Sequence, residues 1–502
     1  MSILKKDPEL KKINDPYYNS FHGFDRLEKE FRADGWFHGR ASDYAACKKN
    51  LIDEKPRNCL VNQMSDCYFS APVRTVNLLT DSAAVIHGPV GCGTNLYDVL
   101  SIFKTTRMLC TNMGEKDAIM GGEGKLKGAI QEAYERFHPG VIAVIETCTS
   151  SIIGDDLDGI CETMEQELGM AVLPFHASGF RHRNWNLGFD ESFNQIIDRM
   201  QPQEAVAGTI NYLNFAALSI HWKEALEVLP YLNELGIRLN AMVPCFMTFK
   251  EMLDTFPRAA LNIVRCPSLG MQTAEYAEKV LGMPYARVPK PVSLKYTSDL
   301  LLNVAEHFDL REKAEALIVR ETERIEGKMA ALRERLRGKR VAISAGPGKN
   351  IGLAQLAAEL EMEVVYLGPL KTDSTYHELL QDFLDTTNQD PEVMAEASVY
   401  EDEAIMSRLK PDVFIGLMEN RVPVSRLGIP CLDMEAICVP QLCGFDGAVV
   451  FGEYMADVLE NRLIRNWGHY LYRKFPVYSS PQFLQELPKA FQGCRKGHPE
   501  TY

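Results

Sequence analysis

Residues 83–95 read AAVIHGPVGCGTN, and this stretch decides the fold class of the chain. A short apolar run, typical of a buried strand, ends at His87, and glycines and a proline then crowd around Cys92. An apolar run that leads through such a turn into a helical pattern is the repeating unit of a parallel sheet. The turn also places a thiol where the backbone carries the fewest side chains, which calls for a chemical explanation.

The same alternation of short apolar runs with helical patterns continues along most of the chain. It predicts an α/β protein built from three Rossmann-like domains, with parallel sheets that carry helices on both faces. We expect an N-terminal extension without a clear strand at 1–55 and α/β domains at 56–203, 204–335 and 336–502, the last with a C-terminal tail. A single long polar helix is predicted at roughly 300–337.

The composition excludes several classes of protein. The chain has 502 residues, of which 46% are hydrophobic, and a formal net charge of −14. A nucleic-acid-binding surface carries a basic stripe, so this acidic balance argues against nucleic acid and favours proteins or small molecules as partners. No apolar run approaches the length of a membrane span, and the charged N-terminus lacks the apolar segment of a signal peptide. We therefore expect a cytoplasmic protein without a membrane partner.

The 13 cysteines are numerous for a reducing compartment, where a thiol serves as a buried apolar residue, a metal ligand or a nucleophile. None is spaced C-x-x-C, so a metal site has to gather thiolates from distant parts of the chain. Cys92 and Cys148 each follow a predicted strand, and Cys67 precedes the helix that leads into the first of these strands. Carboxyl ends of parallel strands share one edge of a sheet, so the three thiols predict an iron–sulfur cluster whose fourth ligand comes from elsewhere. Any one of them alone is more often a buried apolar residue.

Two other glycine-rich stretches, GGEGKLKG at 121–128 and SAGPGKN at 344–350, invite comparison with a phosphate-binding loop. A Walker loop needs G-x-x-x-x-G-K-[ST], and both stretches lack the first glycine and the final hydroxyl residue. We interpret both as turns. The second lies at the carboxyl end of a predicted strand, where α/β proteins bind ligands.

Several stretches form a recognisable set with the three cysteines. They are HGPVGCG at 87–93, EKDAIMGGEGKLKGAI at 115–130, ETCTSSIIGDD at 146–156, GFRHRNWNLG at 179–188, LNIVRCPSLGMQTAEYAEKVLGMPY at 261–285, IPCLDM at 429–434 and GFDGAVVF at 444–451. Together they resemble component 1 of the nitrogenase superfamily, and more narrowly its α-type subunit. The resemblance covers roughly residues 60–465.

Carried over residue by residue, the resemblance implies that Cys67, Cys92 and Cys148 ligate an electron-relay cluster at the interface with a β-type subunit. This relay is either a [4Fe–4S] centre or a fused P-cluster. The resemblance also implies an α2β2 heterotetramer that receives electrons from an ATP-dependent iron–sulfur reductase. Cys266 is implied to anchor a larger iron–sulfur cofactor between the three domains. The loop residues implied to line this cofactor are Gly346, Gly348 and Lys349.

The chain departs from the nitrogenase pattern at positions that serve N₂ reduction. A glutamine and a histidine after the arginine loop are replaced by Trp185 and Phe189, and an arginine after HGPVGCG is replaced by Leu100. The pocket is therefore expected to be more apolar, which suits an organic substrate better than N₂. The polar pocket candidates, chosen by position alone, are His176, His182 and Tyr376.

Two further departures concern the cofactor. Glu435 takes the position of the histidine that completes ligation and is a candidate ligand, with Cys438 and Cys443 close by. Glu419 takes the position of a lysine that would neutralise an organic tricarboxylate. Like charges at low dielectric are costly, so we expect an all-iron cofactor without homocitrate.

Three functions follow from this pattern. The leading hypothesis is the α subunit of a methylthio-alkane reductase, an oxidoreductase that takes electrons through the relay cluster to the larger one and reductively cleaves C–S bonds of small methylthio-alkanes. The alternative is a nitrogenase-cofactor assembly scaffold that holds a cluster precursor without turning over a substrate. A tetrapyrrole-reducing relative is the third, and the complete third domain and Cys266 argue against it.

Overall fold

The computed structural model describes residues 37–46, 67–94, 107–179, 187–213, 222–266, 269–372, 374–433 and 442–461. Fourteen strands form three sheets in this part of the chain, and every strand pair but one is parallel. The predicted α/β fold class with parallel sheets is confirmed. None of the helices described is long and apolar enough to cross a membrane.

The first strand and helix described, β1 (His38–Arg40) and α1 (Ala41–Ala45), lie in the predicted N-terminal extension. β1 pairs antiparallel with the strand Glu392–Met394, near the opposite end of the chain. The His38 Nε2 atom lies 2.6 Å from a Glu392 carboxylate oxygen and ties the two strands together. The prediction that residues 1–55 carry no strand was therefore wrong, because this strand is specified by a distant partner and not by a local apolar pattern.

The first parallel sheet has the strand order β3-β2-β4-β5. Its two central strands are buried along their whole length, since helices cover both faces, and this explains why both read as unbroken apolar runs. The strands are β2 (Ser82–His87), β3 (Met108–Cys110), β4 (Val141–Glu146) and β5 (Ala171–Phe175). The helices are α2 (Ser70–Asn77), α3 (Glu115–Met120), α4 (Glu123–Phe137), α5 (Cys148–Ile153), α6 (Leu157–Leu168) and α7 (Leu187–Ile197).

The second sheet is parallel, with the order β7-β6-β8-β9. Its strands are β6 (Val206–Leu213), β7 (Arg238–Val243), β8 (Ala259–Val264) and β9 (Tyr285–Arg287). Its helices are α8 (Trp222–Glu234), α9 (Phe249–Thr255), α10 (Met271–Leu281), α11 (Leu294–Glu306) and α12 (Arg311–Leu336). The single helix predicted at 300–337 is thus two helices. The chain breaks between them where Asp309 adopts a left-handed φ of 54°, a conformation that a continuous helix cannot contain.

The third sheet has the order β1-β12-β11-β10-β13-β14. Its other strands are β10 (Arg340–Ala345), β11 (Glu363–Pro369), β12 (Glu392–Met394), β13 (Val413–Gly416) and β14 (Cys431–Asp433). Its helices are α13 (Pro347–Glu359), α14 (Ser374–Thr387), α15 (Val399–Leu409), α16 (Arg421–Arg426) and α17 (Gly444–Glu460). The strand order reverses direction at β10, the type of switch point beside which α/β proteins bind ligands.

The apolar cores join the sheets. One core cluster combines residues of the second and third sheets, and another combines residues of the first and second. The carboxyl edges of the strands are therefore held close to neighbouring sheets. The division into domains at 203/204 and 335/336 stays a prediction.

Candidate functional site

Cys67, Cys92 and Cys148, which the sequence predicts to converge, lie around the carboxyl edge of the first sheet. Cys148 begins α5 directly after β4, and Cys92 lies in the helical turn after β2. A Cβ atom built on Gly179 would lie 2.9 Å from the Cys67 Sγ and 3.3 Å from the Cys148 Sγ, so these sulfurs are close neighbours. Burial raises the pKa of the Cys92 thiol, and the nearby Cys148 and Cys110 sulfurs raise it further.

Gly179 makes this group of thiols suitable for an inorganic cluster. Its backbone N–H donates a hydrogen bond to the Cys148 Sγ at 3.2 Å, the type of contact that stabilises a thiolate ligand. Any larger residue would place its Cβ in contact with two sulfurs. Cys67, Cys92 and Cys148 are each partly exposed, so a cluster and a partner can reach them. The described residues hold no preformed group of three metal ligands, and the chemistry of these thiols suits an iron–sulfur cluster that draws them together.

A buried polar network braces the turn that carries Cys92. The His87 Nε2 lies 2.7 Å from the Asp155 Oδ2, and its Nδ1 lies 3.2 Å from the Thr111 Oγ1. The Gly88 N–H donates to the same Thr111 oxygen, and the Gly122 N–H donates to both Asp155 oxygens at 3.1 Å. A Cβ on Gly122 would lie 2.8 Å from the His87 ring. Gly122 thus allows close packing behind the turn, whereas residues 123–128 begin α4, so the interpretation of the whole GGEGKLKG stretch as a turn was wrong.

Cys110 is a fourth thiol in this region, and the sequence analysis missed it. It ends β3, and its Sγ lies 3.4 Å from the Gly88 carbonyl oxygen and 3.6 Å from that of Pro89. Burial raises the pKa of the Cys110 thiol, while hydrogen bonds from the backbone at Asn112 and Gly93 oppose this rise. Its position at the end of a short apolar run, beside the strand that leads to Cys92, was the signal available in the sequence.

His176, predicted as a pocket residue, lies beside the first sheet. Its Nε2 is 3.0 Å from an Asp158 oxygen, and its Nδ1 is 3.6 Å from a Glu146 oxygen. Hydrogen bonding to Glu146 and then to Asp158 outweighs partial burial and raises the pKa of His176 to about 8. The side chain is a third exposed, so His176 is the cation of a rim ion-pair group near the Cys148 helix.

The second candidate site surrounds Cys266, just past the carboxyl end of β8. The neighbouring Arg265 is buried, and its guanidinium lies 2.9 Å from the Glu224 Oε2. The Lys290 Nζ lies 2.9 Å from the same oxygen, and the Lys349 Nζ lies 3.7 Å from the Oε1. Three cations that are nearly fully buried thus meet one carboxylate of α8. We call Arg265, Lys290, Lys349 and Glu224 the cation group.

The cation group carries excess positive charge. The neighbouring carboxylate, Glu227, has its pKa raised to about 7 by burial, so it is only partly ionised at neutral pH. Within the described residues, the Tyr212 hydroxyl and the Arg265 Nε are buried and have no hydrogen-bond partner. Buried charge and buried donors without partners cost free energy, so the chemistry of this site suits an anionic ligand that accepts hydrogen bonds.

The SAGPGKN loop reaches this site from the third sheet. Gly346 precedes α13 and Gly348 lies in its first turn, where a Cβ would be 3.6 Å from the Lys290 side chain. Lys349 joins the cation group. The structure thus brings the three loop residues implied by the resemblance to the neighbourhood of Cys266.

Other predicted residues lie elsewhere. Phe189 and Tyr376 are fully buried in two different apolar cores, and the Tyr376 hydroxyl donates to Asn350 behind the loop. Both side chains are enclosed by packing in the described residues, and their role in a substrate pocket stays a prediction. Glu419 is exposed, so it does not supply the interior like charge from which we expected a cofactor without homocitrate. The predicted residues outside the described part of the chain are Leu100, His182, Trp185, Glu435 and Cys438.

Comparison with known proteins identifies the family. A family model for nitrogenase component 1 type oxidoreductases matches residues 67–460. The chain belongs to this family. Its members bind iron–sulfur clusters, in agreement with the two thiol sites.

Three known proteins illustrate the similarity. The nitrogenase iron-molybdenum cofactor biosynthesis protein NifE of Clostridium pasteurianum is 29% identical over 437 residues, which cover 84% of this chain and 93% of that protein. The nitrogenase molybdenum-iron protein alpha chain of Methanococcus maripaludis is 27% identical over 395 residues, with 74% and 81% covered. A solved structure of nitrogenase Cp1 at pH 5 has a TM-score of 0.68 at 21% identity, covers 80% of this chain and 89% of its own, and shows the same fold.

These comparisons correct the leading functional hypothesis. NifE proteins of Methanococcus maripaludis and Methanosarcina barkeri are also similar, at 27% and 28% identity over 80% and 81% of this chain. The prediction that the chain is the catalytic subunit of a methylthio-alkane reductase was wrong, because these similarities favour the alternative, an assembly scaffold. The departures at the N₂-reduction positions agree with the correction, since a scaffold does not reduce N₂.

Proposed function

We propose that the chain is the α-type subunit of a scaffold that holds an iron–sulfur precursor of a nitrogenase-type cofactor. The observation that carries this proposal is the buried excess of positive charge around Glu224, next to Cys266. Iron–sulfur clusters bound by thiolates are anionic, and buried cations stabilise an anion more strongly than exposed ones do. The similar proteins named for cofactor biosynthesis support the same function.

The side chains have separate roles in holding this cargo. The Cys266 thiolate anchors the precursor, and Arg265, Lys290 and Lys349 neutralise its charge and fix its orientation. Glu224 balances part of the cation charge in the unloaded chain, which lowers the cost of keeping three cations in the interior. Release then requires breaking one sulfur bond and a set of ion pairs, and no covalent change in the chain.

Cys67, Cys92 and Cys148 are proposed to hold a resident relay cluster, a [4Fe–4S] centre or a fused form, with a further ligand from a β-type subunit in an α2β2 assembly. Such a cluster supplies one-electron transfer to the cargo. The His87–Asp155 network keeps the Cys92 turn in place, and the Gly179 N–H stabilises the Cys148 thiolate.

Exposed apolar side chains near the relay cysteines support partner binding at this edge. Val90, Ile119, Met120 and Ile152 are 56%, 81%, 76% and 71% exposed, and they lie on the Cys92 turn and on the packed helices α3 and α5. Apolar residues grouped on a surface mark interaction sites. The β-type subunit and an ATP-dependent iron–sulfur reductase are the partners that we propose for this edge.

The proposal is tested with the complex of the full chain and its β-type partner, purified anaerobically. Lys290→Gln and Lys349→Gln should lower the iron of the cargo cluster and leave the electron paramagnetic resonance signal of the relay cluster unchanged. The exposed Lys127→Gln, which removes the same charge far from the site, is the control. Transfer of the cargo to a cofactor-free nitrogenase should be lower in Lys290→Gln and Lys349→Gln than in the wild type, and unchanged in Lys127→Gln. A complex that keeps its cargo, transfers none and reduces a substrate itself would refute the scaffold function.

A further inference from the structure

Cys443 is buried close to Arg265, the neighbour of Cys266, and both thiols raise the pKa of the Arg265 guanidinium although they belong to different sheets. Glu224 and Glu227 are three residues apart and therefore lie on the same face of α8. Glu224 pairs with Arg265, the neighbour of Cys266, while the Glu227 carboxylate accepts a hydrogen bond from the Cys443 N–H at 2.5 Å. One helical turn of α8 thus contacts Cys443 and the residue next to Cys266.

The backbone around Cys443 is fixed from two sides. Gly444, the first residue of α17, donates its N–H to the Pro291 carbonyl oxygen at 3.0 Å, and Pro291 directly follows Lys290. Gly444 has a φ of 77°, and a Cβ there would lie 3.1 Å from the Tyr231 ring. This close approach seats the Cys443 thiol, which is 3% exposed, at the start of α17.

The thiol lies among charged and polar groups. Burial raises the pKa of the Cys443 thiol well above its ordinary value, Glu224 and Glu227 raise it further, and Lys290 and Arg265 oppose this rise. The Tyr212 hydroxyl is fully buried and has no hydrogen-bond partner among the described residues. Burial raises the pKa of Tyr212, and the nearby Arg265 lowers it while Cys443 raises it, so the hydroxyl lies close to both groups. If packing were the only requirement at position 443, a small apolar residue would meet it. A thiol in this setting, with buried donors that lack acceptors, suits a ligand that takes a thiolate and accepts hydrogen bonds.

We propose that Cys443 is a second thiolate ligand of the cluster that Cys266 anchors, with Tyr212 and Arg265 as hydrogen-bond donors to its sulfides. This inference rests on the proposed scaffold function. On ligation, the Cys443 S–H bond breaks, the proton passes to the solvent, and an S–Fe bond forms without a change in oxidation state. Because burial favours the protonated thiol, the bond to iron, with help from the nearby Lys290 and Arg265 cations, has to supply the free energy of deprotonation.

The test uses the full chain with its β-type partner and four variants. Cys443→Ser keeps a side chain of similar size and replaces the soft sulfur ligand with oxygen. Cys443→Ala removes the ligand atom altogether, and Cys266→Ala removes the proposed anchor. Cys161→Ala, a fully buried thiol in the core of the first sheet, is the matched control. Iron content, the resonance signal of the larger cluster and its resistance to a chelator are measured together with thermal unfolding.

Both Cys443 variants should lose the larger cluster at a chelator concentration at least about tenfold lower than the wild type, since changes near metal ligands cost about 10- to 100-fold in metal affinity. Cys161→Ala should match the wild type. A larger cluster with unchanged signal and chelator resistance in both Cys443 variants would overturn the inference and leave the scaffold function standing. An equal loss of the larger cluster in Cys161→Ala would also overturn the inference, because the loss would then come from a general effect on folding. A wild-type complex without a larger cluster would refute the scaffold function itself.

Discussion

Replacing Gly179 with alanine adds one methyl group in contact with the sulfurs of two relay cysteines. The new Cβ would lie 2.9 Å from the Cys67 Sγ and 3.3 Å from the Cys148 Sγ, and the first distance is shorter than the van der Waals contact of carbon and sulfur. In the chain without a cluster, either thiol relieves this contact by rotating away. A bound cluster holds both sulfurs in place, so the cost falls on the loaded state.

The size of the effect follows from this difference between the two states. Overpacking by one methylene costs about 1–3 kcal/mol when neighbours cannot move. Because about 1.4 kcal/mol corresponds to a factor of ten, the affinity for the relay cluster should fall roughly 5- to 150-fold. The unfolding free energy of the cluster-free chain should change by less than about 1 kcal/mol, since a change of one cysteine rotamer relieves the contact.

The assay is anaerobic reconstitution of the chain with its β-type partner at limiting iron and sulfide, followed by visible absorption and iron analysis. Gly128→Ala on α4 is the control, because a Cβ there meets nothing within 4 Å and the change also adds a methyl group in place of hydrogen. Normal cluster uptake by Gly179→Ala, at the same iron concentration as the wild type, would refute the assignment of Cys67 and Cys148 to one cluster. A large loss of stability without a cluster would refute the argument from thiol rotation.

Three further predictions concern charge. The pKa of His176 is about 8, above its ordinary 6.5, so protonated His176 stabilises the fold fully below pH 6.5 and this contribution is lost as the pH rises through 8. Urea unfolding should show that the unfolding free energy falls by less than about 1 kcal/mol over this range, and that His176→Gln abolishes the fall. A variant that keeps the pH dependence of the wild type would contradict the prediction. Glu224→Gln should lower the unfolding free energy of the unloaded complex by about 3–5 kcal/mol, because it leaves buried cations without a counter-charge. The effect should be much smaller when cargo is bound, and thermal unfolding of the loaded and unloaded forms measures the difference. Equal loss of stability in both forms would speak against an anionic cargo. Asp155→Ala should cost about 1–3 kcal/mol by leaving His87 without its partner, and calorimetry that finds no loss would remove the network from the account of the Cys92 turn.

The convergence of Cys92 and Cys148 was predictable because it follows from a local rule. Both residues come directly after strands of one parallel sheet, and β2 and β4 are neighbours, so the rule about carboxyl ends brings the thiols together. Cys110 obeys the same rule on β3, and it was missed because its strand is only three residues long. Short strands leave too few alternating residues for a reliable pattern.

The cation group was not predictable, because its members come from four separate segments. Glu224 lies on α8, Arg265 follows β8, and Lys290 and Lys349 lie in later loops and helices. Packing around the second sheet brings Glu224, Arg265 and Lys290 together, and packing against the third sheet adds Lys349. No local periodicity in the sequence indicates either packing. The same limit misled the functional hypothesis, since thiols alone are shared by proteins with different activities on one fold. The glutamate at position 419 led us to expect a negative charge beside the cofactor, whereas the structure places the Glu419 side chain at the surface.

The salt bridge between Glu224 and Lys349 has a consequence for the order of events during synthesis. A ribosome releases the second sheet and Cys266 before it releases Lys349. A nascent chain that stops before β10 therefore carries Cys266, Arg265 and Lys290 but lacks Lys349, and under the proposed function it would hold an anionic cargo with fewer counter-charges. If the chain is the proposed scaffold, firm binding of its cargo therefore has to wait until the start of the third sheet has folded onto the second.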